Sequence, residues 1–121
     1  MAFLFEKLEV YQRAIEFAAE TRRVCARLPG GNGDIADQLR RAAVSVPANI
    51  AEGNGRWHGA DKRHFLMIAR GSAFECVALL EILSRTEAIS REECGKLKAE
   101  INSLAQMING LSRRFAMAVK A

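Results

Sequence analysis

A chain of 121 residues has the size of one domain and can bury a real core without disulfides. Half of it is apolar while the mean hydropathy is −0.05, so the apolar residues are patterned, and no run reaches the roughly 18–20 that a membrane span needs. Eighteen Lys and Arg against fourteen Asp and Glu give +4, which permits a nucleic-acid partner without demanding one.

The opening, Met1-Ala2-Phe3-Leu4-Phe5-Glu6-Lys7, places charge directly after a very short apolar patch. A secretory signal has the opposite order and a longer apolar stretch, so the expectation is a cytoplasmic protein. From about Glu6 to Leu28 the apolar positions Val10, Ala14, Phe17, Thr21, Val24 and Leu28 recur at helical spacing, and Leu8, Tyr11, Ile15, Ala18 and Cys25 widen the stripe. A Pro29-Gly30-Gly31-Asn32-Gly33 run then breaks the pattern.

A second helix is predicted from about Asp34, as its cap, to Glu52. It turns Ile35, Leu39, Ala42, Ala43, Val46 and Ile50 inward. Pro47 lies inside this run, but the apolar spacing holds phase across it, which predicts a continuous, kinked helix. Gly53-Asn54-Gly55 reads as the C-terminal cap and turn. The third helix, from about Asp61 to Arg85, is read with Phe65, Ile68, Ser72, Cys76, Leu79 and Leu83 on its inner face. Gly71-Ser72 is read there as a point of close helix approach. The fourth opens on Ser90-Arg91-Glu92-Glu93, a capping box, and carries Cys94, Leu97, Ile101, Leu104, Ile108, Leu111 and Phe115 at steps of three and four.

Four helices with short connections predict an all-α, antiparallel, up-down-up-down bundle occupying residues 1–121 as a single domain. Cys25, Cys76 and Cys94 each fall on an apolar stripe, where a free thiol packs as a small hydrophobe in a reducing compartment. Chemistry is scarce. His58 and His64 are six residues apart and share no helix face, the Glu-x-x-His pairs of di-iron bundles are absent, and Gly53-Asn54-Gly55 lacks the strand and the Gly-Lys ending of a phosphate loop. No catalytic residue, metal site or cofactor is expected, and the chain reads as a non-enzyme.

Charge placement says more. Residues 40–70 hold Arg40, Arg41, Arg56, Lys62, Arg63 and Arg70 against Glu52 and Asp61, and the remainder carries twelve of each sign. An antiparallel bundle brings the loop between the second and third helices to the C-terminal end of the fourth. There Arg56, Lys62 and Arg63 would meet Arg113, Arg114 and Lys120, with Trp57, His58 and His64 among them. Phosphate neutralisation with base stacking on an exposed aromatic is how RNA is contacted. An ordinary solvated helix end, its cations favoured by the helix dipole, reads the same residues equally well.

The stretch Gln38-Leu39-Arg40-Arg41-Ala42-Ala43-Val44-Ser45-Val46-Pro47-Ala48-Asn49-Ile50-Ala51-Glu52-Gly53 resembles the signature of the bacterial four helix bundle family, whose founding members are encoded in intervening sequences of 23S ribosomal RNA genes. Leu8-Glu9-Val10-Tyr11-Gln12 and Phe65-Leu66-x-Ile68-Ala69-x-Gly71-Ser72-x-x-Glu75 resemble its first and third helices, while Cys76, Val77 and the short Gly30–Gly33 turn depart from it. The resemblance implies a homopentameric ring. It also implies kinship with the accessory protein of diversity-generating retroelements, a basic pentamer that binds nucleic acid and a reverse transcriptase. Arg40 and Arg41 are candidates for phosphate contact as well, but within such a ring pairing with Glu52 or Glu75 of the same or a neighbouring subunit reads them equally well. The function expected is therefore nucleic-acid binding, chiefly RNA, through a basic end. The alternative is an adaptor ring whose partner is another protein, such as a reverse transcriptase.

Overall fold

A computed structural model describes residues 3–120, with side chains as far as Ala116. Four helices, α1 (Glu9–Ala26), α2 (Gly33–Asn54), α3 (Gly59–Arg85) and α4 (Arg91–Lys120), form an antiparallel bundle, and no strand occurs among the described residues. Packing is heaviest between α2 and α3, then between α3 and α4, and lightest between α1 and α4. That last seam is held partly by charge. The Arg13 guanidinium grips the Glu100 carboxylate at 3.1 and 3.0 Å, and this bond raises the arginine's already high pKa.

The N-terminus departs from expectation. The predicted first helix splits into a 3-10 turn, Leu4–Lys7, and α1, with Leu8 extended between them. The turn folds Phe5 back so that its ring stacks on Phe3 and meets Tyr11 edge-on at 5.1 Å. In α1, Val10, Ala14, Phe17, Thr21 and Val24 are buried as predicted, but Ile15 is exposed. Asp34 is not the cap of α2. Asn32 takes that position, its side chain turned back to the Pro29 carbonyl at 2.8 Å, and Asp34 lies in the first turn, where a carboxylate still favours the helix dipole.

α2 runs unbroken through Pro47. The proline removes one backbone bond and costs roughly 3 kcal/mol in a free helix. Ala43, Val46 and Ile50 on either side are completely buried and hold the segment in place. The helix also passes through Gly53, read from sequence as part of the turn. A Cβ there would stand 3.1 Å from the Lys62 carbonyl and 3.2 Å from the Phe65 Cβ, so the bare glycine is what lets the first turn of α3 approach α2.

In the second half of α3 Cys76, Leu79 and Leu83 are buried as expected, joined by Leu80. In the first half the inner face lies one residue further on: Leu66, Ala69 and Ala73 face the core, while Phe65 and Ser72 lie on the flank and Ile68 is 38 % exposed. Gly71 meets nothing within 4 Å, so the close approach expected there occurs at Ala69 and Ala73 instead. Ser72 is hydrogen-bonded to Ser45 of α2 at 2.8 Å, and Asn49 donates to the same hydroxyl at 2.9 Å.

α3 ends in a Schellman arrangement. The Ala88 and Glu87 amides bond to the carbonyls of Leu83 and Ser84, and Glu87 occupies the left-handed position at φ 62° that glycine normally fills. Glu87→Gly is therefore expected to stabilise the fold by about 1 kcal/mol, relief of the left-handed strain outweighing the extra chain entropy. A rise in the urea midpoint at constant m checks it. At α4 the Ser90 hydroxyl accepts the Glu93 amide at 3.0 Å, but the Glu93 carboxylate takes Arg27 at 3.0 Å, so half of the capping box is used for a tie to α1.

All three cysteines are free and buried. The Cys25 and Cys94 thiols point at the Ala36 and Leu80 carbonyls, and burial pushes Cys76 up to about 12. Such thiols are packing groups, not nucleophiles.

Candidate nucleic-acid interface

The sequence-predicted basic end exists, though its members differ in what they are free to do. α2 ends at Asn54, α3 begins four residues after Gly55, and the C-terminal half of α4 returns beside both. Lys62 ties them together: its ammonium is 3.1 Å from the Asn54 carbonyl at the end of α2 and 5.0 Å from the centre of the Phe115 ring of α4. It satisfies an orphan helix carbonyl and a cation–π contact at once. Lys62 therefore belongs to the scaffold more than to any ligand site.

Arg56 is also partly engaged. Its guanidinium bonds to the Glu52 carboxylate one turn back and lies 4.5 Å over the Phe65 ring. Arg63, Arg113 and Arg114 form no ion pair among the described residues, and the last two are exposed. Arg113 and Arg114 point to different sides of α4, as consecutive helical residues must. Arg114 lines the α1–α4 groove with Leu8, Val10, Met107 and Leu111. Trp57 is 93 % exposed and His58 is exposed beside it, as is His64 a turn and a half further on. Lys120, expected in this group, lies outside the described side chains.

One member of this end was missed from sequence. Phe5, Ala48, Ala51, Gly55, Arg56 and Trp57 line an open groove of about 570 Å³. Phe5 reaches it only because the 3-10 turn folds back, a tertiary event that no local pattern announces.

Arg40 and Arg41 do not join the basic end. They sit fifteen and more residues before Arg56, which is about 22 Å along the axis of α2. Arg40 is held by Asp37 at 2.6 Å, and both arginines line a separate groove of about 550 Å³ with Arg22 of α1, another residue the sequence did not single out. No cluster of three or more metal-ligating side chains is present among the described residues, and no described helix is long and apolar enough to cross a membrane.

The described residues form an all-α bundle that carries Trp57 and several cations at one end. Residues 6–110 match the sequence profile of the 23S rRNA-intervening sequence protein family, and the chain belongs to that family. Its fold is similar to the crystal structure of a protein of unknown function from the S23 ribosomal protein family of Bacteroides thetaiotaomicron VPI-5482. The TM-score is 0.80 at 27 % identity, over 85 % of this chain and 97 % of the other. No curated protein matches it.

Proposed function

We propose that this protein is a non-enzymatic, cytoplasmic homo-oligomer that binds nucleic acid, in the first place RNA, through the end of the bundle that carries Trp57. Five copies is the number its family resemblance implies. The observation carrying the reading is the Trp57 side chain, 93 % exposed and in the same end of the bundle as Arg56, Arg63, Arg113 and Arg114. Nothing in the fold uses it: an indole left in water contributes no burial, whereas a base stacked on it contributes about 1–3 kcal/mol. Guanidinium groups free of carboxylates are available to phosphates, which accept their forked N–H groups. The competing adaptor reading, with a protein such as a reverse transcriptase as partner, draws on the exposed apolar residues of α3.

The test is binding of a structured RNA followed by anisotropy across salt concentrations. Replacing Arg63, Arg113 and Arg114 together with glutamine is expected to weaken binding to all sequences. It should also flatten the salt slope by roughly 0.7 for every single-strand phosphate that is no longer neutralised. Trp57→Ala is expected to weaken binding by about 1–3 kcal/mol. Lys62 is left intact because its replacement would unsettle the helix ends. A triple variant that binds as tightly as the parent at low salt would hand the end of the bundle back to solvent and give the adaptor reading the lead.

A further inference from the structure

The open groove beside Trp57, about 570 Å³, falls in the size range of small-molecule sites, roughly 300–1,000 Å³. Phe5, Ala48, Ala51, Gly55 and Trp57 make most of its lining apolar, and its charged members are Glu52 and Arg56. Stacking on Phe3 and an edge contact with Tyr11 hold the Phe5 ring in place. Glu52 is the odd member. A carboxylate in the last turn of α2 meets the negative end of the helix dipole, and in a basic end it opposes the phosphates of a bound strand. Arg56 offsets this with an ion pair one turn on, but it places a single nitrogen, Nη2, on a single oxygen, Oε1. The other oxygen, Oε2, accepts no hydrogen bond among the described residues, and the Glu52 side chain is 53 % exposed.

We infer that Glu52 selects guanine: an unpaired guanine of a single strand enters this groove, donates N1–H and N2–H to the carboxylate and lays its ring against the Trp57 indole. This rests on the nucleic-acid binding proposed above and names the base held at that site. A carboxylate is an acceptor only, through two oxygens side by side. Among the RNA bases, guanine alone presents two adjacent N–H donors on its Watson–Crick edge. Adenine and cytosine set one amino group beside a bare ring nitrogen, whose lone pair would face a carboxylate oxygen. Uracil sets its single N–H between two carbonyl oxygens.

Arg56 is compatible with this contact. Each carboxylate oxygen has a second lone pair, so Oε1 can keep Arg56 and still accept from the base. The guanidinium, set between Glu52 and the Phe65 ring, orients the carboxylate. A guanine inside a duplex has the same edge occupied by cytosine, so the strand read here is single or looped. Phosphate contacts by Arg63, Arg113 and Arg114 then supply affinity without regard to sequence, and Glu52 supplies the choice of base.

Trp57 is the only tryptophan of the chain, so its fluorescence reports on this groove. The test titrates three short strands at one low salt concentration: oligoadenosine with a central guanosine, the same strand with inosine there, which lacks the N2 amine, and the all-adenosine strand. The guanosine strand is expected to quench Trp57 and to bind about tenfold tighter than the adenosine strand, with inosine between them. Glu52→Gln keeps one acceptor and adds a donor, and it should erase the preference without weakening the adenosine strand. A merely structural Glu52 would instead weaken all three strands alike and lower the melting temperature. Equal binding of the three strands by the parent, a guanosine preference that survives Glu52→Gln, or one that leaves Trp57 emission unchanged overturns the guanine site alone. Failure to bind any of the strands, or a structured RNA, overturns both this site and the proposed function.

Discussion

Phe17→Ala is expected to cost about 3–5 kcal/mol of stability, read as a fall in the urea midpoint with m unchanged. Phe17 is 2 % exposed and among the largest fully buried side chains. It belongs to α1, the helix with the lightest packing on α4, so few neighbours can move in to fill the cavity. A domain of this size has only about 5–15 kcal/mol in hand, and one truncation could therefore remove a third or more of it. Phe74→Ala is the control. Its ring lies on the surface with Arg70 4.7 Å over one face, and its removal is expected to shift the stability of a single chain by no more than about 0.5 kcal/mol.

Thr21→Val is expected to act in the opposite direction and stabilise the bundle by about 1–3 kcal/mol. Thr21 is 0 % exposed, and its hydroxyl has no hydrogen-bond partner among the described residues. A buried, unpaired hydroxyl carries its whole desolvation cost, while an apolar group of the same shape does not. Helix propensity hardly separates the two residues, both being β-branched. Calorimetry should show a melting temperature several degrees higher. A variant that melts lower would mean that the hydroxyl bonds a backbone carbonyl in solution. Thr21→Ser distinguishes the cases, since serine would keep such a bond and lose only the methyl.

What could be read from the chain varied with how one-sided each helix is. α1 and α4 place their apolar residues on a single face, and the buried sets there are nearly those the spacing predicts. In α3, Cys76, Leu79 and Leu83 are buried as the spacing predicts, but the inner face of the first half differs by one residue, because the stripe through Phe65 and Ile68 and the stripe through Leu66 and Ala69 are both apolar. Periodicity gives the period of such a helix and not which side faces in. The choice falls to packing: Ala69 and Ala73 are small enough to admit α2, and the larger pair Phe65 and Ile68 is not.

The candidate site was legible as a cluster and not as a set of roles. Antiparallel connection alone predicts that the loop after α2 meets the end of α4, and the contact of Lys62 with Asn54 and Phe115 agrees with it. Charge counting treats every cation alike, however. It cannot tell that Lys62 is committed to a helix end, that Arg56 already holds Glu52, or that Arg40 and Arg41 lie well down the bundle.

The sequence by itself determined the helical class, the number of helices, the continuation through Pro47 and the family, because each is written in local spacing or in an unbroken motif. The tertiary structure alone decided the face that the first half of α3 turns inward, the need for a bare Gly53 and the place of Phe5 beside Trp57. It also decided which arginines stay unpaired. Those outcomes depend on distances of about 3–5 Å between residues apart in the chain, and contacts of that kind leave no period in the sequence.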